Sequence, residues 1–208
     1  ITKYFAAVMS ADDIPQIMED AYYYAMEGRK GPVWIDVPVN IQNSQVSEKA
    51  ILDIVKREFK NKFIDEKMLA DIANRILKSK KPLIMAGYGI RSSNSVELLE
   101  RLSTNYDIPI VTSRGGIDVV NSDSKLFIGR PGSYGDRASH FAVQEADLFL
   151  ILGSRLSIST VGYYPQRFGK NAFKVMVDID DKELNKEDVP VDYKISADLN
   201  EWLNKLLG

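Results

Sequence analysis

The chain has 208 residues, 45% hydrophobic and 27% charged, with a formal net charge of -2, a balance ordinary for a soluble globular protein. Near-neutral charge argues against a nucleic-acid partner, which would call for a basic face. Cys is absent and His140 is the single histidine, which excludes disulfides, thiolate zinc sites, cysteine nucleophiles and multi-histidine metal centres.

No apolar run approaches the length of a membrane span, so no membrane segment is expected, and no signal peptide opens the sequence. The first residue is Ile1 rather than Met, which points to a piece of a longer protein. Thr2–Met9 is compatible with a strand or a connector. Ser10 and Asp12 are candidate caps for a helix in which Ile14, Ile17, Met18, Ala21 and Ala25 form one apolar face. Tyr22, Tyr23 and Tyr24 read as packing and rim residues, and Gly28 stops the helix. Gly31–Val39 alternates as a strand, with Pro38 confining it to a strand end or sheet edge. One helix and one strand cannot bury themselves, so residues 1–45 are expected to be the incomplete end of one domain. Residues 46–62 are its linker and 63–208 a second domain.

Asp65 opens an amphipathic helix through Met68, Leu69, Ile72, Ile76 and Leu77. Pro82–Ala86 is a buried strand leading into Gly87 and Gly89. Ser92–Thr104 is a second helix, Ile108–Val111 a strand, and Gly129–Gly135 a glycine-rich loop. Ala138–Ala146 is a helix leading to Leu148–Leu152, an unbroken apolar run ending on Gly153, as in a strand covered on both faces. Phe173–Ile179 and Val191–Ala197 are further strands, and Asp198–Leu206 is a closing helix. This alternation predicts an α/β fold: a doubly wound, mainly parallel sheet flanked by helices.

Ligands in such sheets settle outside the carboxyl ends of the strands. The predicted ring is therefore Gly87–Ser93, Thr112–Gly116, Gly153–Thr160 and Asp178–Asp180, with Gly129–Gly135 beside it. It offers glycines for close approach, hydroxyl donors, and Arg91, Arg114, Arg130 and Arg155 as diphosphate partners. Asp178 and Asp180 either accept from ribose hydroxyls or cap the turn that follows. Each element alone is unspecific. Gly87–Ser92 has Ser at the third glycine position of a dinucleotide fingerprint, and Arg155 has a structural carboxylate as its alternative partner. His140 reads as a surface or packing residue. No nucleophile elbow, Walker loop or zinc-protease motif is present, and no catalytic residue is assigned.

GRKGPVWIDVPVNIQ (Gly28–Gln42) resembles the segment closing the pyrimidine-binding domain of thiamine-diphosphate enzymes, above all acetolactate synthase catalytic subunits. KPLIMAGYGI, IPIVTSRGG, FIGRPGSYGDRA, EADLFLILGSRL and FKVMVDIDDKELNK follow in the order of that family's central, Rossmann-like domain. The resemblance implies a parent enzyme that decarboxylates a 2-keto acid such as pyruvate and passes on the two-carbon unit. It also implies branched-chain amino acid biosynthesis, a cytoplasmic homodimer or homotetramer, and thiamine diphosphate with magnesium held by pyrimidine- and diphosphate-binding domains outside this sequence. FAD in a structural role, or ADP, is the family's central-domain ligand. Carried over by motif, its contacts fall on Gly87, Gly89, Thr112, Ser113, Gly129, Arg130, Gly153, Arg155, Asp178, Ile179 and Asp198. The sequence departs from the family at Ser157, Ile158 and Ser159, which replace two acids and an arginine, and at Arg130-Pro131, which replaces Met-His. FAD, an adenine nucleotide and a ligand-free scaffold remain the alternatives.

Overall fold

The computed structural model describes residues 1–59 and 62–208, and the chain divides into two compact units, Ile1–Asn61 and Lys62–Gly208.

In the first unit β1 (Phe5–Ala7) pairs in parallel with β2 (Trp34–Asp36), with Ala6 opposite Ile35. Between them runs α1 (Ile14–Met26), entered through a 3-10 turn at Ala11–Asp13. A capping box starts that turn: Ser10 Oγ accepts from the Asp12 amide at 3.4 Å, and Asp13 Oδ2 accepts from the Ser10 amide at 3.0 Å. This arrangement satisfies amides that the first turn leaves without partners. After Pro38 come two short helices, α2 (Val39–Gln42) and α3 (Glu48–Leu52). The segment expected to be a plain linker is tied to α1. The Ser47 amide donates to Asp12 Oδ1 at 2.8 Å and the Val55 amide to Gln16 Oε1 at 2.8 Å. Arg57 pairs with Asp20 at 2.6 Å and lies over the rings of Tyr23 and Tyr24. The tyrosine run is therefore a packing feature, with Tyr23 stacked on Phe59 and Tyr24 on Tyr4. Phe5 and Trp34 stay more than 60% exposed, as a two-strand sheet with one helix must leave some apolar surface open.

The second unit alternates for the most part between helix and strand. Asp65 caps α4 (Glu66–Lys78), followed by β3 (Pro82–Ala86), α5 (Tyr88–Ser92), α6 (Val96–Tyr106) and β4 (Ile110–Thr112). A 3-10 turn at Arg114–Gly116 and β5 (Phe127–Gly129) lead to α7 (Arg137–Glu145) and β6 (Leu148–Leu152). Then come α8 (Ile158–Val161), a 3-10 turn at Pro165–Arg167, β7 (Phe173–Asp178), α9 (Asp181–Leu184), β8 (Tyr193–Ser196) and α10 (Leu199–Leu207). The six strands form one sheet in the order β5-β4-β3-β6-β7-β8, and every neighbouring pair is parallel.

Both faces are covered, as the unbroken apolar run of β6 requires. Leu148, Leu150 and Leu152 point with Ile84, Ile110, Val175 and Val177 toward Ile72 and Ile76 of α4, Leu99 and Leu102 of α6, and Trp202 of α10. Phe149 and Ile151 point the other way with Leu83, Met85, Val111 and Met176, toward Val143 of α7, Leu184 of α9 and Phe168. Burying one such side chain contributes roughly 1.5–3 kcal/mol, so the two clusters supply the drive for the doubly wound form.

Several elements differ from the sequence reading, and the strand expected over Gly31–Val39 is confined to Trp34–Asp36, with Val39 opening α2. The helix expected over Ser92–Thr104 is broken between α5 and α6. Ser93 Oγ donates to the Gly89 carbonyl at 2.8 Å and Asn94 takes φ +55°, so local side-chain bonding replaces the helical ladder there. β5 is a strand that the three-residue apolar stretch ahead of Gly129 is too short to announce.

Candidate functional site

Because all six strands run the same way, their carboxyl ends share one edge of the sheet. The positions singled out from the sequence fall along it in the order of the strands. Gly129 ends β5 with Arg130 next, Thr112 ends β4 with Ser113 next, and Gly87 and Gly89 follow β3. Gly153 and Arg155 follow β6, Asp178 ends β7 with Ile179 next, and Asp198 follows β8. At the usual strand spacing this row is roughly 24 Å long. The chain winds from β3 out to β4 and β5, then returns to β6 and continues to β7 and β8. The topological switch point, where open α/β sheets bind ligands, is thus between β3 and β6.

At that point the backbones of two loops meet. The Gly87 amide donates to the Leu152 carbonyl at 2.9 Å, and the Gly89 amide to the Gly153 carbonyl at 3.0 Å. A Cβ on Gly87 would lie 2.1 Å from the Gly153 oxygen, and one on Gly89 would lie 2.6 Å from Gly153 Cα. Gly153 itself has φ +60°. These three glycines are required first by the chain's own packing, and together they make a side-chain-free floor at the switch point.

The glycine-rich loop is likewise built around its own chain. The Asp136 carboxylate accepts from the Arg130 amide at 2.8 Å and occupies the space a Cβ on Gly129 would need. Gly132, at φ +135°, faces the Ser159 carbonyl, which accepts from the Ser133 amide at 2.9 Å. His140 Nε2 lies 3.1 Å from the Gly132 carbonyl oxygen, a packing role. Ser157 and Ser159, two of the residues that depart from the family pattern, bond to each other through their hydroxyls at 2.9 Å.

The charged positions have defined partners. Arg155 Nε donates to Glu183 Oε1 at 2.7 Å, and Lys186 donates to the other oxygen of the same carboxylate. Burial alone would raise the Glu183 carboxyl, but Lys186 and Arg155 together hold it below its ordinary value. Arg91 pairs with Asp118 at 2.7 Å, and Arg114 is exposed. Asp178 is buried and accepts from the Asp180 amide at 2.9 Å; Asp180 in turn caps α9 through the Lys182 amide at 3.0 Å. The Ile179 carbonyl accepts from Lys62 Nζ at 2.8 Å, and Lys62 also reaches Ser196 and Asp181. Asp198 caps α10, accepting from the Asn200 amide at 2.8 Å. Of the two roles open to Asp178 and Asp180, capping is therefore observed for Asp180.

Thr112 is the exception. Its side chain is fully buried at the end of β4, yet Oγ1 has no hydrogen-bond partner among the described residues. Such a hydroxyl calls for a partner that the described residues do not supply. Sequence reasoning missed Glu183, Lys62 and Asp136, because their partners lie far along the chain or across a turn with no spacing rule. It also missed Leu156, which is buried beside Arg155 at φ +49°, a conformation a leucine rarely adopts. No group of three or more His, Cys, Asp or Glu residues suited to a metal ion occurs among the described residues.

A doubly wound parallel sheet with a glycine floor at its switch point defines a Rossmann-like class of α/β domain. Residues 69–206 match the family model of the thiamine pyrophosphate enzyme central domain, and the chain belongs to that family. It is 36% identical over 209 residues to the acetolactate synthase large subunit of Lactococcus lactis subsp. lactis, covering all of this chain and 36% of the relative. It is 31% identical over 207 residues to the acetolactate synthase isozyme 1 large subunit of Escherichia coli, again all of this chain and 36% of the relative. A probable acetolactate synthase large subunit of Methanocaldococcus jannaschii is 30% identical over 212 residues, with the same coverage. The chain thus spans about a third of the length of these curated relatives.

Proposed function

We propose that this chain is the central-domain part of an acetolactate synthase-like enzyme that decarboxylates a 2-keto acid such as pyruvate and transfers the two-carbon unit to an acceptor. Residues 1–45 are then the end of a pyrimidine-binding domain, 46–62 the connecting segment and 63–208 the central domain. The observation that carries this reading is the similarity of the whole of this chain to about a third of acetolactate synthase large subunits. The exposed Phe5 and Trp34 support it, since further domains of a longer chain would cover them. Thiamine diphosphate supplies the carbanion-stabilising chemistry when bound. The residues that would hold it and its magnesium belong to the parent's other domains, in keeping with a chain in which no catalytic residue is assigned. The reading also makes the parent a cytoplasmic homodimer or homotetramer of branched-chain amino acid biosynthesis. Its test is acetolactate formation from pyruvate by the full-length enzyme with thiamine diphosphate and magnesium. Absence of acetolactate, with pyruvate consumed to another product or untouched, would refute it.

Within the domain, the sheet edge is the site of a nucleotide, FAD or ADP, in a non-redox role. Gly87, Gly89 and Gly153 let it approach the backbone, while Thr112 and Ser113 offer hydroxyls and Gly129 and Arg130 flank it. Arg155 meets its diphosphate, and Asp178, Ile179 and Asp198 line the ribose end. The orphaned Thr112 hydroxyl and the side-chain-free floor fit such a ligand, and the row of six strand ends suits an extended dinucleotide better than a mononucleotide. Asp178 and Asp198 already accept from backbone amides, which favours a lining role for them over a dedicated ribose clamp. Visible flavin absorbance in the purified full-length enzyme distinguishes FAD from ADP. A colourless enzyme of full activity would remove FAD.

A further inference from the structure

We infer that Glu183 is a positioning residue for nucleotide binding, holding the Arg155 guanidinium at the carboxyl edge of the sheet so that its exposed part meets the ligand's anionic group. The inference rests on the proposed nucleotide site.

Arg155 is the third residue past β6, one of the two strands that flank the switch point. Its contact with Glu183 is made through Nε at 2.7 Å, and 58% of its side chain remains exposed. Glu183 is the reverse case, a carboxylate with only 6% of its side chain exposed, in α9. Lys186 takes its second oxygen, so one acid is shared by two cations and does not neutralise both. A pair of this kind contributes little as a structural bond on its exposed side, while burying the acid costs desolvation. What the buried carboxylate does to the exposed arginine is hold its guanidinium in one place. It removes rotamer freedom that a free side chain would lose on binding.

The backbone gives the same orientation from the other side. Leu156, next in the chain, has φ +49°, and its side chain is buried in the cluster that contains Met176, Leu184 and Val189. Leu184 is the neighbour of Glu183, so the residue after Arg155 and the residue after its acid pack into one cluster. Arg155 is thereby fixed at its backbone by Leu156 and at its Nε by Glu183, with its remaining surface turned outward.

The test is nucleotide affinity of the full-length enzyme, stripped of bound nucleotide, measured by calorimetry with FAD and with ADP. Wild type is compared with Arg155→Ala, Glu183→Ala, Glu183→Gln and the double variant Arg155→Ala/Glu183→Ala. Each is measured below its own unfolding temperature. We expect Arg155→Ala and Glu183→Ala each to weaken binding by about tenfold, with the double variant no weaker than Arg155→Ala alone, because the acid acts through the arginine. Glu183→Gln, which keeps the shape and an acceptor for Nε, is expected to retain most of the affinity. Glu183 variants that lower the melting temperature but bind as tightly as wild type would overturn the inference while leaving the site standing. So would additive losses in the double variant. Binding of neither FAD nor ADP by wild type would overturn the site and the inference together.

Discussion

Gly89 and Gly153 face each other so closely that a Cβ on either would lie within 2.6 Å of the other's Cα. One residue belongs to the loop after β3 and the other to the loop after β6, so this contact closes the switch point of the sheet. Gly153→Ala meets both the crowding and the positive φ of 60°. We expect it to destabilise the domain by about 3 kcal/mol, the sum of typical overpacking and left-handed-backbone costs. Urea unfolding would read this as a lower midpoint at unchanged slope.

Asp107 ends α6 in the left-handed region at φ +52°, with its amide bonded to the Ser103 carbonyl. The position is one where glycine is the ordinary helix terminator. Asp107→Gly is expected to stabilise the fold by roughly 0.5–1 kcal/mol. A lower urea midpoint would contradict this account of the turn.

Lys174 in β7 is 5% exposed and donates to the Gly169 and Ala172 carbonyls at 2.9 and 3.2 Å. Burial pulls its ammonium below the ordinary 10.5, against a smaller upward pull from Asp192. Since the unfolded chain then binds the proton more tightly than the folded one, this group subtracts stability below its folded pKa. The penalty is relieved as pH rises through that value toward 10.5. The difference in unfolding free energy between wild type and Lys174→Met, measured from pH 7 to 10.5, is expected to shift in favour of wild type as pH rises. A difference independent of pH would show that Lys174 carries no linked proton.

Asp147 gathers the turn before β3. Its carboxylate accepts from the Lys80 amide at 2.8 Å, from the Lys81 amide at 3.1 Å and from the Ser79 hydroxyl. Burial raises the carboxyl, but these three donors and its own backbone amide outweigh it and hold it below the ordinary 3.8. Its contribution is therefore complete above pH 3.8 and lost as pH falls through the lowered folded value. Asp147→Ala is expected to cost about 1–2 kcal/mol at pH 7 and less at pH 3, as read by urea midpoints at both values.

The period of the sequence carried the architecture well, for definite reasons. Leu148–Leu152 has no polar residue, which only a strand covered on both faces tolerates, and the structure buries all five. Asp65 and Asp198 stand where caps belong and make those bonds. Short or locally bonded pieces were harder to read. β5 has three residues, and the break at Ser93–Ser95 depends on hydroxyl bonds that leave no periodic trace. The candidate positions that motif order singled out lie at strand ends along one edge of the sheet. Motif order did not indicate that Gly87, Gly89 and Gly153 pack on one another, nor that Glu183, 28 residues from Arg155, is that arginine's partner. Such pairings are set by tertiary contact, which residue spacing does not encode.

The most direct test of the account is thermal unfolding of the nucleotide-stripped full-length enzyme, titrated with FAD and separately with ADP. A ligand that binds only the folded state stabilises it, by about 2.7 kcal/mol at one hundred times its dissociation constant. The account predicts a saturable rise in melting temperature with at least one of the two, reduced in Arg155→Ala. An unchanged melting temperature with both ligands, in an enzyme that still responds to thiamine diphosphate and magnesium, would contradict a nucleotide site on the sheet edge and leave the domain a scaffold.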